Sequence, residues 1–216
     1  MFTKPTVFVI GAGASYECGF PLGGELVTRI AKALDVRTPN EDQLLPFIFD
    51  MYGIENKSAV ETAAEHLRAV LKSSPSTDDA LNWLSDDPAA IELGKIAIAS
   101  EILIAETKGE LSGADRPDVF AKFDSTWVHA FFSLAKRDLK RENVERIFAA
   151  TTIINFNYDR SLEHYLFSAF QQRGPFTADQ ARKLVGSLKI IRPYGSLGNL
   201  WGDDAIPFGE KCPRHR

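Results

Sequence analysis

The sequence predicts an α/β protein built on a parallel β-sheet, with a large helical insertion after the first strand. Three short segments, TVFVI, TTIINF and LKII, have the apolar and β-branched composition of buried strands. Helical patterns separate these segments, and such alternation is typical of a parallel sheet. The connection between the first two strands exceeds ordinary connection lengths by roughly 100 residues, which indicates an insertion.

The composition is that of a soluble globular protein with an apolar core. The chain has 216 residues, of which 44% are hydrophobic and 25% charged, and its net charge is −4. Because sequence-independent nucleic-acid binding needs clustered Lys and Arg, no direct nucleic-acid partner is expected. The N-terminus lacks a signal peptide, and no apolar run approaches the roughly 20 residues of a spanning helix. We therefore expect a cytoplasmic protein without a membrane partner.

The chain has two cysteines, Cys18 and Cys212. They form no CxxC pair, so a zinc ribbon with four cysteine ligands cannot be built, and no metal is expected. A disulfide between them stays open at this stage, although nothing in the sequence points to an oxidising compartment. Cys18 lies beside a glycine-rich turn and is interpreted as a small packed residue.

The first strand is expected at Val7–Ile10, and helical patterns follow it. A helix over Glu25–Leu34 keeps its apolar residues on one face, and a loop over Asp35–Asn40 comes next. The apolar segment Leu44–Met51 contains Pro46, which favours a short helix over a strand.

Four further helices are expected, over Ser58–Leu71, Thr77–Leu84, 88 to about 107 and Val119–Lys136. The first has Ser58 and Glu61 in the spacing of a capping box. The third has Asp87 as its N-cap, with Pro88 in the first turn. The last is rich in aromatic residues, which we interpret as core or as a helical lid.

The character of the chain changes at the second strand, which is expected at Thr151–Phe156. A helix over Ser161–Phe170 and a third strand over Leu188–Ile191 follow. We therefore predict one domain over residues 1–210, with the helical insertion at about 40–145, and a disordered tail over 211–216.

The first strand runs directly into the turn GAGAS, Gly11 to Ser15. Glycine lets a phosphate approach the backbone, and a following helix N-terminus supplies unpaired N–H groups. The ordinary dinucleotide fingerprint is incomplete, because Tyr16 stands at the third glycine and no acidic residue follows a second strand about 20 positions on. A Walker A sequence is also absent. Nucleotide binding and a plain tight turn both remain open from this segment alone.

Polar residues also follow the other two strands. NFNYD contains Asn157, an amide able to bond a ribose hydroxyl or a water, and Asp159, a carboxylate able to stabilise a developing cation. The alternative is a strand-to-helix turn in which Asp159 is the N-cap. RPYGSLG contains Gly195 and Ser196 and by itself indicates only a turn. Ligands of open α/β sheets bind at the carboxyl ends of the strands.

Taken together, these segments resemble the sirtuin-like family. VFVIGAGASYECGFP looks like the GAGxS opening of that fold, and STDDALNWL resembles the S-I-D-x-F-L segment of the helical region in bacterial members. TTIINFNYD is similar to the T-x-N-Y-D stretch, and KIIRPYGSLG to the K-L-H-G-S-L stretch. Each motif is weak alone, but the four occur in the family's order and cover about Thr6 to Leu200.

The resemblance implies a Rossmann-like, three-layer fold of the sirtuin/DHS-like type and an NAD site. Residues Gly11, Ala12, Gly13, Ala14 and Ser15 would line the diphosphate and the adjacent ribose. Asn157 would contact the nicotinamide ribose and help to place a water, and Asp159 would lie near the nicotinamide end. Gly195 and Ser196 would complete the cofactor site. Bacterial defence members hydrolyse NAD to nicotinamide and ADP-ribose.

The sequence departs from the family pattern in three places. Tyr194 stands where the family has its catalytic histidine, and a neutral phenol is a poor base at pH 7. No other histidine follows a motif that would replace it. The zinc ribbon of the deacetylases is absent, so protein deacetylation is not expected. The chain is also expected to be C-terminally shortened relative to the family's sheet.

Three functional hypotheses follow. The first is an NAD hydrolase of antiphage defence, in which Asn157, Asp159 and Tyr194 form the catalytic group, acting as a homo-oligomer or with a partner protein. The second is a module that binds NAD or ADP-ribose without cleaving it, motivated by Tyr194. The third is a helical interaction protein that keeps an inert remnant of the fold.

Overall fold

The computed structural model describes residues 2–35, 37 and 44–210. Three strands are present: β1 (Thr6–Ile10), β2 (Thr151–Asn155) and β3 (Lys189–Ile191). The α-helices are α1 (Ala12–Tyr16), α2 (Gly23–Ala33), α3 (Leu45–Tyr52), α4 (Lys57–Leu71), α5 (Thr77–Trp83), α6 (Pro88–Lys108), α7 (Pro117–Phe120), α8 (Trp127–Lys136), α9 (Ser161–Arg173) and α10 (Ala178–Gly186). Most of the expected loop over 35–40 lies outside the described residues, as do the expected tail over 211–216, Cys212 and His215.

The sheet has the order β1-β2-β3, and both strand pairs are parallel. Thr6 pairs with Thr151, and Ile154 pairs with Ile191. In the described ranges, every element between β1 and β2 is helical. The predicted α/β class, with a parallel sheet and a helical segment after the first strand, is therefore confirmed.

The two faces of the sheet differ in their packing. On one face, the ring of Phe8 packs edge-on against Phe131 of α8 at 5.3 Å, and Ile153 of β2 is fully buried. On the other face, Val7 and Val9 of β1 are 58% and 66% exposed, and Ile191 of β3 is also exposed. A parallel sheet is normally covered on both faces. The exposed face differs from the three-layer arrangement that the resemblance implies.

The chain divides into two compact units. The sheet unit comprises Met1–Phe20 and Ala105–Glu210, and its core is aromatic. Phe132 of α8 packs edge-on against Phe170 of α9 at 5.2 Å, and Phe131 stacks on Phe148 at 6.0 Å. The aromatic segment of α8 is therefore part of the core.

The helical unit, whose described part lies within Pro21–Ile104, has an aliphatic core. Its most deeply buried large side chains are Ile30, Leu34, Leu44, Ile48, Leu67, Leu71 and Leu84. The prediction that residues 1–210 form one domain is not tested by this division and stays a prediction. Within the described residues, no helix is both long and apolar enough to cross a bilayer.

Two local predictions in the helical segment are wrong. The capping box at Ser58 does not form, because the 3₁₀ turn Ile54–Asn56 leads straight into α4 and leaves Ser58 inside the helix. The single helix predicted over Val119–Lys136 is broken before α8. Thr126 adopts an extended conformation there (ψ 159°), and its hydroxyl caps α8 by accepting a hydrogen bond from the His129 N–H.

Helix α10 is absent from the sequence prediction although its start has a recognisable pattern. The Thr177 hydroxyl accepts from the Gln180 N–H at 3.3 Å, and the Gln180 side chain accepts from the Thr177 N–H at 2.9 Å. This reciprocal pair is the capping box of a T-x-x-Q sequence. The capping pattern predicted for α6 is confirmed, since Asp87 accepts from the Ala90 N–H at 3.0 Å.

Candidate functional site

The three polar turns lie at the same edge of the sheet, because all three strands run in the same direction. Gly11 directly follows β1, Asn157 comes two residues after β2, and Tyr194 comes three residues after β3. All three belong to the sheet unit. The carboxyl edge of a parallel sheet is where α/β proteins bind ligands.

The glycine turn has open space in front of its backbone. A Cβ added to Gly11 or Gly13 would meet no atom within 4 Å. Gly11 has φ −139°, which any residue can adopt, and Gly13 lies within α1. Neither the backbone conformation nor internal packing therefore requires glycine here, although glycine in a helix costs about 0.5–1 kcal/mol relative to alanine. A ligand that approaches the backbone would account for both glycines.

The second half of this turn is fixed by α8. The Trp127 indole Nε1 donates to the Ala14 carbonyl at 2.6 Å, and the Trp127 backbone N–H donates to the Glu17 carboxylate at 2.8 Å. The sequence predicts Trp127 as part of the core or of a helical lid, but its hydrogen bonds to the glycine turn could not be predicted. They attach the second half of the turn to the start of α8.

Asn157 joins the first turn to the second. Its side-chain Nδ2 donates to the Gly11 carbonyl at 2.8 Å and to the Ser15 hydroxyl at 2.7 Å. The residue is buried, and its backbone N–H donates to Asn155 Oδ1 at 2.9 Å. Both amide N–H groups are thus used to hold the glycine turn. The remaining polar atom of the side chain, Oδ1, can only accept a hydrogen bond.

Asp159 is buried beside this junction and acts at the start of α9. Its Oδ1 accepts from the Ser161 N–H at 2.9 Å, while the N-cap position itself is occupied by Arg160. The alternative prediction, that Asp159 caps α9, is therefore correct in that Asp159 accepts a hydrogen bond from the first turn of the helix. It is wrong by one residue in the position of the N-cap. Burial, and secondarily the Asp159 charge, raises the pKa of the Cys18 thiol to about 12. Cys18 is buried and stays protonated at neutral pH, as expected for a packed residue.

Arg192 joins the third turn to the second. Its Nη1 donates to the carbonyls of Asn157 and Asp159 at 2.7 and 3.0 Å, and its Nη2 donates to Glu163 Oε1 at 2.5 Å. The guanidinium is thereby held by protein groups within the site wall. Asn157 and Arg192 together link all three turns by hydrogen bonds.

Tyr194, Gly195 and Ser196 form the exposed part of the site. Gly195 has φ +83°, a left-handed conformation that favours glycine. The Tyr194 ring is 53% exposed and packs edge-on against the exposed Phe156 ring at 5.6 Å. The two rings thus present an aromatic surface at the ends of β2 and β3, which the sequence analysis did not predict.

A buried ion pair next to the site was also missed. Arg160 donates through Nε to Glu106 Oε1 at 3.1 Å and through Nη2 to Oε2 at 2.5 Å, and both side chains are almost completely buried. Its Nη1 donates to the carbonyls of Asn199 and Ile206 at 3.2 and 2.5 Å. Burial raises the pKa of the Glu106 carboxyl, and Arg160 opposes that rise. The sequence signal that was available is that Glu106 directly follows the apolar run 102–105 of α6.

The described histidines occupy structural positions. His66 pairs with Asp87 at an exposed position of the helical unit, and His129 Nδ1 lies 3.1 Å from the Tyr165 hydroxyl. His164 is buried with its Nε2 3.1 Å from the Leu111 carbonyl, and its ring stacks on Phe208 at 4.0 Å. In the part of the chain described, no three His, Cys, Asp or Glu side chains are grouped so as to hold a metal ion.

His164 should make stability depend on pH. Burial lowers its pKa from 6.5 to about 4, so it stays neutral when folded while the unfolded chain takes up a proton below pH 6.5. The free energy of unfolding is therefore at its full value above pH 6.5, and it falls as the pH is lowered from 6.5 to about 4. We expect a loss of about 1.2 kcal/mol between pH 7 and 5.5 that His164→Gln lacks. Urea unfolding at both pH values measures it. His66→Gln is the control, and equal pH dependence in His164→Gln and the parent would contradict the assignment.

Comparison of the chain with protein-family models, curated proteins and solved structures found no match. The functional assignment below therefore depends on the residues of the site and on the resemblance of its motifs.

Proposed function

We propose that this chain binds NAD at the carboxyl edge of its sheet and hydrolyses it to nicotinamide and ADP-ribose, as a Rossmann-like domain of sirtuin type. One observation carries the proposal: Asn157 and Arg192 connect the turns after β1, β2 and β3 by hydrogen bonds. These turns are the segments in which the motif resemblance lies. The open space before Gly11 and Gly13 supports a diphosphate position against the backbone.

The residues divide between binding and orientation. The backbone from Gly11 to Ser15 lies against the diphosphate and its ribose, and Gly195 and Ser196 border the nicotinamide side. The exposed rings of Phe156 and Tyr194 offer a surface on which a planar ring stacks. Asn157 Oδ1 accepts from a ribose hydroxyl or from the attacking water.

Hydrolysis at this site needs orientation and electrostatics more than a strong nucleophile. The bond between C1′ and the nicotinamide nitrogen breaks, and its electron pair leaves with nicotinamide. The sugar then carries positive charge, which the negative charge of Asp159 stabilises. Water adds to C1′ and releases a proton to solvent. The resemblance further suggests a role in antiphage defence, with a second copy or a partner protein controlling the site.

A second candidate function is the binding of NAD or ADP-ribose without cleavage. Two observations favour it. Both N–H groups of Asn157 are used within the protein, and the exposed phenol of Tyr194 stands in place of the family's histidine. A neutral phenol has a reference pKa near 10 and is a poor general base at pH 7.

Incubation of the purified chain with NAD tests the proposal. We expect nicotinamide and ADP-ribose to appear in equal amounts, with no cyclic ADP-ribose, as measured by chromatography. Tyr194→His should raise the rate by at least about 100-fold, because a positioned general base contributes about that much. Tyr194 is exposed, so the substitution should leave folding unchanged. Tyr194→Phe, which keeps the ring, is the matched control.

The outcomes separate the candidates. Calorimetric heat with NAD but no product, together with activity gained in Tyr194→His, supports binding without turnover in the parent. No heat, no thermal shift and no product in either protein contradicts both candidates and favours a non-enzymatic interaction domain.

A further inference from the structure

The helical unit contains a cleft of 230 Å³ that lies entirely within Pro21–Ile104. Side chains of α3, α4 and α6 form its walls. Most of the lining is aliphatic, and its members are Ile48, Ala59, Val60, Ala63, Ala89, Leu93 and Ile96. Concave sites with an apolar lining and a few placed polar groups are typical of small-molecule sites.

The cleft has three polar lining residues, Tyr52, Asn56 and Glu92. The Tyr52 hydroxyl donates to Glu92 Oε1 at 2.5 Å, and Asn56 Nδ2 donates to the Tyr52 carbonyl at 2.6 Å. Of the described residues that line the cleft, only Glu92 is charged. A carboxylate has no hydrogen-bond donor. The Tyr52 hydroxyl uses its hydrogen in the bond to Glu92, so toward any other group it can only accept. The mouth therefore presents a negative charge and free acceptor positions beside an apolar wall.

We propose that this cleft binds a small molecule with an apolar body and one ammonium group. The apolar body lies against Val60 and Ile96, which are part-exposed, and removes their surface from water. The ammonium donates to Glu92 and to Tyr52, forming charge-assisted hydrogen bonds. An anion of the same shape meets the negative charge of Glu92, and a neutral alcohol lacks the charge-assisted bond. This inference does not depend on NAD binding in the sheet unit.

Three six-carbon probes that differ only in their polar group test the charge preference. Hexylamine, hexanol and hexanoate are titrated into the full chain while the methyl NMR signals of Ala63, Leu93 and Ile96 are followed. We expect saturable shifts with hexylamine, a Kd about tenfold weaker for hexanol, and no saturation with hexanoate. Binding in the millimolar range is expected because the apolar body is small.

Two variants localise the effect. Glu92→Gln keeps the shape of the side chain and should make the Kd values of hexylamine and hexanol equal. Glu61→Gln removes the same charge from an exposed position of α4 that does not line the cleft, and should change neither value. Hexanoate binding as tightly as hexylamine would overturn the proposal, as would the absence of saturable shifts with all three probes. Concentration-dependent dimerisation that shifts the same methyl signals, without any response to hexylamine, would assign the cleft to a second copy instead and also overturn it.

Discussion

Glu106→Leu is expected to lower the free energy of unfolding by about 3–5 kcal/mol. The substitution leaves the buried Arg160 guanidinium without its counter-charge, and Arg160 is only 1% exposed. The charge is then shielded from water and has no carboxylate to balance it. The loss in free energy of unfolding comes from the uncompensated buried charge, and it is larger than the net stabilisation that the intact ion pair provides.

Urea unfolding followed by circular dichroism measures this loss. The matched control is Glu110→Leu, which removes the same kind of side chain from an exposed pair with Lys122 and should cost less than about 1 kcal/mol. Adding Arg160→Met to Glu106→Leu should recover only part of the stability, because the carbonyls of Asn199 and Ile206 then lose the bond from Arg160. The Asn199 carbonyl keeps its bond from the Ile206 N–H. Equal losses in Glu106→Leu and Glu110→Leu would refute the structural role of the buried pair.

Asn157→Ala is expected to reduce NAD cleavage by about 100-fold or more, which is the scale of a misplaced catalytic geometry. The change removes the acceptor Oδ1 and both hydrogen bonds that hold the glycine turn. The turn after β1 then keeps only the longer bond from the Ser161 hydroxyl to the Ser15 hydroxyl, at 3.4 Å, as a side-chain connection to the segment after β2. Product formation from NAD under saturating conditions measures the effect.

A second variant separates contact with the substrate from support of the turn. Ser15→Ala keeps Asn157 Oδ1 and removes only one of the two supporting bonds, so we expect a loss smaller than that of Asn157→Ala. Thermal unfolding of each variant shows whether the fold is kept. Undiminished turnover in a folded Asn157→Ala protein would remove Asn157 from the mechanism.

The parts of the fold that the sequence predicts are those with strong local patterns. The apolar, β-branched run of β2 and the helical spacing in α9 needed no tertiary information, and both lie where expected. The meeting of the three turns could be predicted because parallel strands end at the same edge. The position of Asp159 was accurate to one residue, which is the ordinary precision of helix starts.

Features that depend on distant parts of the chain could not be predicted. Arg160 meets Glu106 from α6 and two carbonyls from the segment after β3, and no local pattern relates these positions. The two hydrogen bonds of the Asn157 side-chain amide could not be predicted for the same reason, because its partners Gly11 and Ser15 lie far earlier in the chain. Sequence spacing identified the residue type at the site but not which of its atoms the protein itself uses.

The pairing of β1 with β2 has a consequence for the order in which the molecule assembles. Thr6 pairs with Thr151, so β1 lacks its neighbour until the residues between the two strands, 11–150, have been synthesised. The described part of the helical unit lies within Pro21–Ile104 and has its own core, so we expect it to fold during this interval. Because contacts between distant residues form slowly, we expect sheet formation to limit the folding rate. Until then the edge of β1 that pairs with β2 has unpaired backbone groups, and nascent chains are most prone to aggregation at this stage.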